Sequence, residues 1–244
     1  MKKIRIDRLL VERGLVETRE RARAMIMAGD VLVEDTPVHK AGTGVQPDAA
    51  VRFRRPEHPY VGRGGVKLRG ALDEFGIDPE GLVAADIGCS TGGFTDCLLD
   101  AGARRVYALD VDTSQLDWKL QSDSRVVPIE GNARYLEPGP LMGKMDLVTI
   151  DVSFISLRKI LPRVTRILAT GGRVLALVKP QFELGSDKIP KGGVVSDPAL
   201  HQAAVDGITS WVEGATGLGH VGTAESPITG KEGNREFFVL LLKS

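Results

Sequence analysis

From residue 66 onward the chain alternates short apolar runs with helical stretches, and this alternation restricts its fold more than any other feature. The strand candidates are LVAADIG (82–88), RRVYALDV (104–111), RVVPIEG (125–131), DLVTIDV (146–152), RVLALVK (173–179) and EFFVLLL (236–242). Helical stretches such as FTDCLLDAG (94–102) and SLRKILPRVTRILAT (156–170) lie between most of them. Strand–helix repetition of this length predicts a parallel, doubly wound α/β sheet. Such sheets bind ligands beyond the carboxyl ends of their strands, so those ends are where function is sought.

The first strand runs into Asp86-Ile87-Gly88-Cys89-Ser90-Thr91-Gly92-Gly93-Phe94. Glycines at a strand-to-helix turn let a ligand approach the backbone closely. The spacing is G-x-x-x-G-G and differs from the G-x-G-x-x-G of dinucleotide binders. An acid at the end of the next strand, Asp110, is placed to accept hydrogen bonds from ribose hydroxyls. The combination resembles the S-adenosylmethionine site of Rossmann-like class I methyltransferases. That resemblance implies a cofactor loop of Gly88, Ser90, Gly92, Gly93 and Phe94, with Asp110 on the ribose and Asn132 near the adenine. Asp86 would orient the loop or meet the methionine ammonium through water.

The fourth strand ends at Asp151, in DVSF. The Asp/Asn-Pro-Pro-aromatic unit of amino-group methyltransferases is not matched, because both prolines are missing. A cytosine-carbon methyltransferase needs a Pro-Cys nucleophile here, and no cysteine follows residue 97. The fifth strand closes on Lys179, which either snorkels its ammonium into water or stands where a reaction needs it. Lys67 in GGVKL and Glu236 in NREFF complete the ordered set Lys67, Asp151, Lys179, Glu236. This set and its flanks resemble the catalytic tetrad of FtsJ-type ribose 2′-O-methyltransferases, and over essentially the full chain the sequence resembles the TlyA family. The resemblance implies methylation of ribosomal RNA at a cytidine 2′-hydroxyl. Lys179 is then the central residue, as base or as orienting donor, with Asp151 fixing it and Lys67 and Glu236 steering the hydroxyl.

Residues 1–59 follow another pattern. Two short helices are expected around Gly14, the second capped by Thr18 and running from Arg19 to Met27 with Ala22, Met25 and Ile26 inward. VLVED and AVRFR read as short strands. The pattern Arg5-x-Asp7, Leu9, Gly14-Leu15, Thr18-Arg19, Ala22, Ile26, Gly29-Asp30-Val31 resembles the small α+β RNA-binding domain of ribosomal protein S4. It implies RNA contact through Arg5, Arg8, Thr18, Arg19 and Arg23, by shape and phosphate more than by sequence. A Pro-rich stretch, RRPEHPYVGRGG (54–65), reads as a linker whose glycines loosen its far end, giving a hinge at 60–65 and a methyltransferase domain over 66–244.

Net charge is zero, so no global field advertises a polyanionic partner. Residues 1–60 nevertheless carry 12 Lys/Arg against 9 Asp/Glu. Cys89 and Cys97 lack metal-ligand spacing and the four histidines are scattered, so no metal is expected. The charged N-terminus does not read as a signal peptide, and the expected setting is cytoplasmic, on ribosomal RNA or assembled subunits. Two rival readings are a membrane-active haemolysin and a non-catalytic RNA-binding protein on a methyltransferase scaffold. The first requires a lytic or spanning helix that the sequence does not offer.

Overall fold

The computed structural model describes residues 3–16, 18–54, 58–139, 143–230 and 232–244, so residues 55–57 of the Pro-rich stretch lie outside it. The chain divides into two compact units, Met1–Pro59 and Tyr60–Ser244.

In the first unit, helices Ile6–Glu12 and Arg19–Ala28 pack through Ile6, Leu9, Leu10, Ala22 and Ile26. Thr18 Oγ1 accepts the Arg21 N–H at 3.2 Å, which starts the second helix where a capping residue should. A three-stranded antiparallel sheet, in the order Thr36–Pro37, Val31–Val33, Val51–Phe53, closes the same core. A further pair joins Ile4–Arg5 to Gly44–Val45.

The second unit is a seven-stranded sheet. Its strands are β1 (Val83–Ile87), β2 (Arg105–Asp110), β3 (Val126–Glu130), β4 (Met145–Ile150), β5 (Leu168–Val178), β6 (Leu218–Glu225) and β7 (Phe237–Lys243). They lie in the order β6-β7-β5-β4-β1-β2-β3, and β7 runs antiparallel to both neighbours. The helices are α1 (Gly64–Glu74), α2 (Gly93–Asp100), α3 (Trp118–Gln121), α4 (Leu161–Ile167), α5 (Pro180–Glu183) and α6 (Pro198–Ala215). Helices α1 and α2 cover one face through Leu68, Leu72 and Leu98; α4 and α6 cover the other through Leu161, Val164, Val205 and Ile208.

Burial on both faces explains the unbroken apolar runs. In β5, Val174, Ala176 and Val178 face one layer while Leu175 and Leu177 face the other. Each such aliphatic side chain contributes roughly 1.5–3 kcal/mol when fully buried.

Three local expectations change. The helix expected over 156–170 is confined to Leu161–Ile167, because Pro162 opens it and the chain is extended again from Leu168. Strand β6 is absent from the sequence reading: Gly219 and Gly222 dilute its pattern, and it pairs only along one edge. The expected hinge glycines are packing residues. Gly64 and Gly65 already belong to α1, and a Cβ on Gly65 would stand 2.3 Å from the Tyr60 ring. Gly65→Ala is therefore expected to overpack this contact and destabilise the second unit by roughly 1–3 kcal/mol. Urea unfolding of the full chain, followed by tryptophan fluorescence, reads that loss; an unchanged midpoint counts against the packing role.

Candidate active site

The carboxyl edge of the sheet gathers the tetrad. Asp151 follows β4 and Lys179 follows β5. Because β7 is antiparallel, its amino end lies at this same edge, and the register pairing Val178 with Phe237 sets Lys179 and Glu236 on adjacent strand ends. Lys67 arrives from the first turns of α1.

The four side chains form two close ion pairs. Lys179 Nζ lies 2.6 Å from Asp151 Oδ1 and donates to Ser153 Oγ at 3.0 Å. Lys67 Nζ donates to Glu236 Oε2 at 2.6 Å. Lys67, Lys179 and Glu236 are each at most 9% exposed. Ammonium groups this buried need a charged partner, which is what each carboxylate supplies.

Around them lie groups that the sequence reading passed over. Ser153, inside DVSF, holds Lys179 through its Oγ. Glu183, one turn beyond Lys179, accepts from Ser156 Oγ at 2.6 Å and from the Leu157 N–H at 2.8 Å, tying the DVSF turn to α5. Burial raises the Glu183 carboxyl above its usual range. Asn234 Oδ1 accepts the Val195 N–H at 2.9 Å and its Nδ2 donates to Gly193 O, fastening the loop after α5 beside Glu236. Phe154 is 90% exposed, sits at φ +63° and touches the Phe182 ring at 5.1 Å. A non-glycine residue at positive φ with an exposed aromatic ring is strain of the sort found at binding sites.

The cofactor-loop residues divide. Gly88, at φ +85°, sits so close to the Asp151 carbonyl that a Cβ would come within 2.3 Å of it. Ser90, at φ +48°, donates its N–H to Asp110 Oδ2 at 2.8 Å, so loop and second-strand acid are one unit. Gly92 and Gly93 lead into α2. Asn132 is exposed and uses Oδ1 to cap Arg134 N–H at 2.9 Å, leaving its NH2 as the remaining donor. Phe94 does not line the loop: it is 3% exposed and packs in the core against Phe238 at 6.0 Å. Asp86 is also turned inward, accepting from Thr95 Oγ1 at 2.7 Å and Thr149 Oγ1 at 3.2 Å. It joins β1, α2 and β4 beneath the loop, which leaves the loop-orienting role and removes the ligand-contact one.

In the first unit, Arg5, Arg19 and Arg23 converge on the Asp7 carboxylate, whereas Arg8 pairs with Glu12 at 2.6 Å. Thr18, expected among RNA contacts, has its hydroxyl engaged as the helix cap.

A seven-stranded sheet of this order, with a glycine loop after β1 and an acid after β2, defines a Rossmann-like class I methyltransferase. The chain belongs to the FtsJ-like methyltransferase family, whose model matches residues 60–243, and an S4 domain matches residues 4–51. It is 46% identical, over 98% of its length and 86% of the relative's, to a Bacillus subtilis protein described as a candidate rRNA methyltransferase, YqxC. It is 41% identical to the 16S/23S rRNA (cytidine-2′-O)-methyltransferase TlyA of Mycobacterium tuberculosis, over 98% of this chain and 90% of that one. A solved structure described as a candidate haemolysin, from Streptococcus thermophilus, superposes with a TM-score of 0.76 at 42% identity, covering 100% of this chain and 90% of the other. Among the described residues no helix is long and apolar enough to cross a membrane.

Asp86 provides a pH test of the loop's foundation. Burial, helped by the Asp151 charge and opposed by the two threonine hydroxyls, pushes its carboxyl up to about 7. The unfolded chain gives up this proton near pH ~3.9. Folded protein therefore binds the extra proton between these values, and stability declines as pH rises from about 4 to about 7. Asp86→Asn is expected to flatten that decline, seen as a smaller difference between melting temperatures at pH 5 and pH 8. A variant with wild-type pH dependence would show that Asp86 is not the group responsible.

Proposed function

We propose that the chain methylates a ribose 2′-hydroxyl of ribosomal RNA, at cytidine, using S-adenosylmethionine. The observation that carries this reading is the two ion pairs, Lys179–Asp151 and Lys67–Glu236, at the carboxyl edge beside a loop built for a methyl donor. The names of the relatives support the substrate.

The donor fits the residues present. Asp110 keeps its second oxygen on a long 3.4 Å contact from Asp112 N–H, open to ribose hydroxyls, and Asn132 offers an amide donor. The Gly88–Gly93 turn would receive the amino-acid part. When bound, S-adenosylmethionine supplies a methyl group activated by a positive sulfur.

The chain's own residues must orient the hydroxyl and dispose of its proton. Lys179 Nζ donates to Ser153 Oγ and lies in an ion pair 2.6 Å from Asp151 Oδ1, contacts that restrain it at the rim where the 2′-oxygen would come. To serve as base, Lys179 first passes one proton to the Asp151 carboxylate 2.6 Å away, and the neutral amine then accepts the 2′-hydroxyl proton as the O–CH3 bond forms and the donor's S–CH3 bond breaks. Lys67, held by Glu236, places a second positive group at the same rim for the adjoining ribose–phosphate. General-base assistance is typically worth ~10²–10⁴-fold, and near-attack positioning supplies more. Phe154 receives the target base by stacking, an interaction worth about 1–3 kcal/mol per base.

Tritium transfer from labelled S-adenosylmethionine to 30S subunits, 50S subunits and deproteinised ribosomal RNA, followed by nucleoside analysis, tests this directly. The expected product is 2′-O-methylcytidine; a base-methylated nucleoside would overturn the assignment. Lys179→Ala is expected to lose at least ~10²-fold in turnover while binding the methyl donor as wild type does. Retained turnover removes Lys179 from the chemistry. Phe154→Ala should instead raise KM for RNA about tenfold, with unchanged donor affinity.

A further inference from the structure

We infer that Asp7 is the positioning residue of a phosphate site in the first unit, its buried carboxylate gathering Arg5, Arg19 and Arg23 into one cluster that faces an RNA backbone. This rests on the reading that the unit binds RNA, and goes beyond it by assigning an acidic residue the task of building the basic site.

Asp7 has no exposed surface, whereas the three arginine side chains are 51%, 47% and 49% exposed. Arg5 Nε and Nη2 each reach it at 3.0 Å, Arg19 Nη2 at 3.0 Å and Arg23 Nε at 3.4 Å. The hydrogen bonds from Arg5, and then from Arg19, outweigh burial and hold the carboxyl well below the usual range. One acid against three bases leaves two net positive charges. Each guanidinium carries five N–H donors, of which Asp7 takes two from Arg5 and one each from Arg19 and Arg23.

The sequence builds this arrangement. Ile6, Leu9 and Leu10 anchor the first helix in the core, which turns Asp7 inward toward the second. The Thr18 cap sets the start of that helix, and Arg19 and Arg23, four residues apart, share the face that meets Asp7. Arg5 comes from the strand just before. Two other arginine–acid pairs among the described residues of this unit are different. Arg8–Glu12 and Arg52–Asp35 are one-to-one, with acids 45% and 77% exposed, so they cancel their own charge in water.

A free arginine loses rotamer freedom when it is fixed on a ligand. Asp7 fixes three of them before RNA arrives, which lowers the ordering cost at the moment of binding. Phosphodiester oxygens match guanidinium forks, and Arg is suited to them for that reason.

The test turns on sign. Asp7→Asn raises the positive charge of the patch, so an unorganised basic surface would bind RNA more tightly. A preorganised site binds less tightly. Full-length protein is titrated with deproteinised bacterial ribosomal RNA between 50 and 200 mM salt. The expected result for Asp7→Asn is affinity about tenfold weaker, with the slope of log K against log salt shallower by about one. Equal or tighter binding by folded Asp7→Asn protein overturns the inference. Should that variant lose its N-terminal fold by circular dichroism, Arg23→Gln against Arg52→Gln decides. Each removes one exposed guanidinium, and the first is expected to lose at least about fivefold more affinity; equal losses overturn the inference. Wild-type protein with no salt-dependent RNA binding would instead remove the RNA reading of this unit.

Discussion

Two lysine ammonium groups stand at the rim of an apolar sheet, and each is held there by a carboxylate at 2.6 Å. A buried charge without a partner costs several kcal/mol, so these lysines depend on where the acids arrive. The sheet determines that. Asp151 comes from the neighbouring parallel strand β4, as its own strand end. Glu236 comes from β7, and only the reversed direction of β7 brings its amino end to the edge where the parallel strands finish. A seventh strand running parallel would carry Glu236 to the opposite edge and leave Lys67 without a counter-ion. The tetrad is therefore a consequence of strand order and direction.

The loops that carry the site are fixed from below by buried polar side chains. Asp86 holds the start of α2 through Thr95 and the end of β4 through Thr149. Glu183 fixes the turn containing Ser153 and Phe154, and Asn234 fixes Gly193 and Val195 beside Glu236. Each satisfies groups that would otherwise be orphaned next to the sheet. Such support makes strained backbone tolerable at Ser90 and Phe154, both at positive φ. Positions of this kind persist only where the surroundings over-determine them.

Sequence pattern made the sheet readable because two-sided burial writes continuous apolar strands, as in Val174–Val178. Lys179 was conspicuous because it breaks such a run. Edge strand β6 was not readable, since pairing on one side asks little of its side chains. Motif resemblance located Lys67, Asp151, Lys179 and Glu236, but a motif does not say which way a side chain turns. Phe94 and Asp86 lie in the loop motif and point into the core. Ser153, Glu183 and Asn234 act through contacts between segments 26 to 41 residues apart, which spacing along the chain does not encode. The glycines before α1 were ambiguous in the same way: Gly65 permits close packing on Tyr60, and loose linkers use the same residue.

Overall neutrality is a poor guide to whether such a chain meets RNA. At physiological ionic strength, exposed charges farther apart than about 8 Å are largely screened from one another, so a phosphate senses the local cluster and not the sum. Balanced pairs such as Arg8–Glu12 and Arg52–Asp35 contribute little to that local field. An acid withdrawn into the core works differently. Asp7 offsets one charge of three, while the hydrogen bonds it accepts set the spacing of the remainder. Lys179 follows the same logic, since Asp151 lowers the net charge of the rim yet holds the ammonium in place beside Ser153. In both units a carboxylate gives up electrostatic attraction for geometry. Recognition of a phosphate and placement of a hydroxyl depend more steeply on geometry than on net charge.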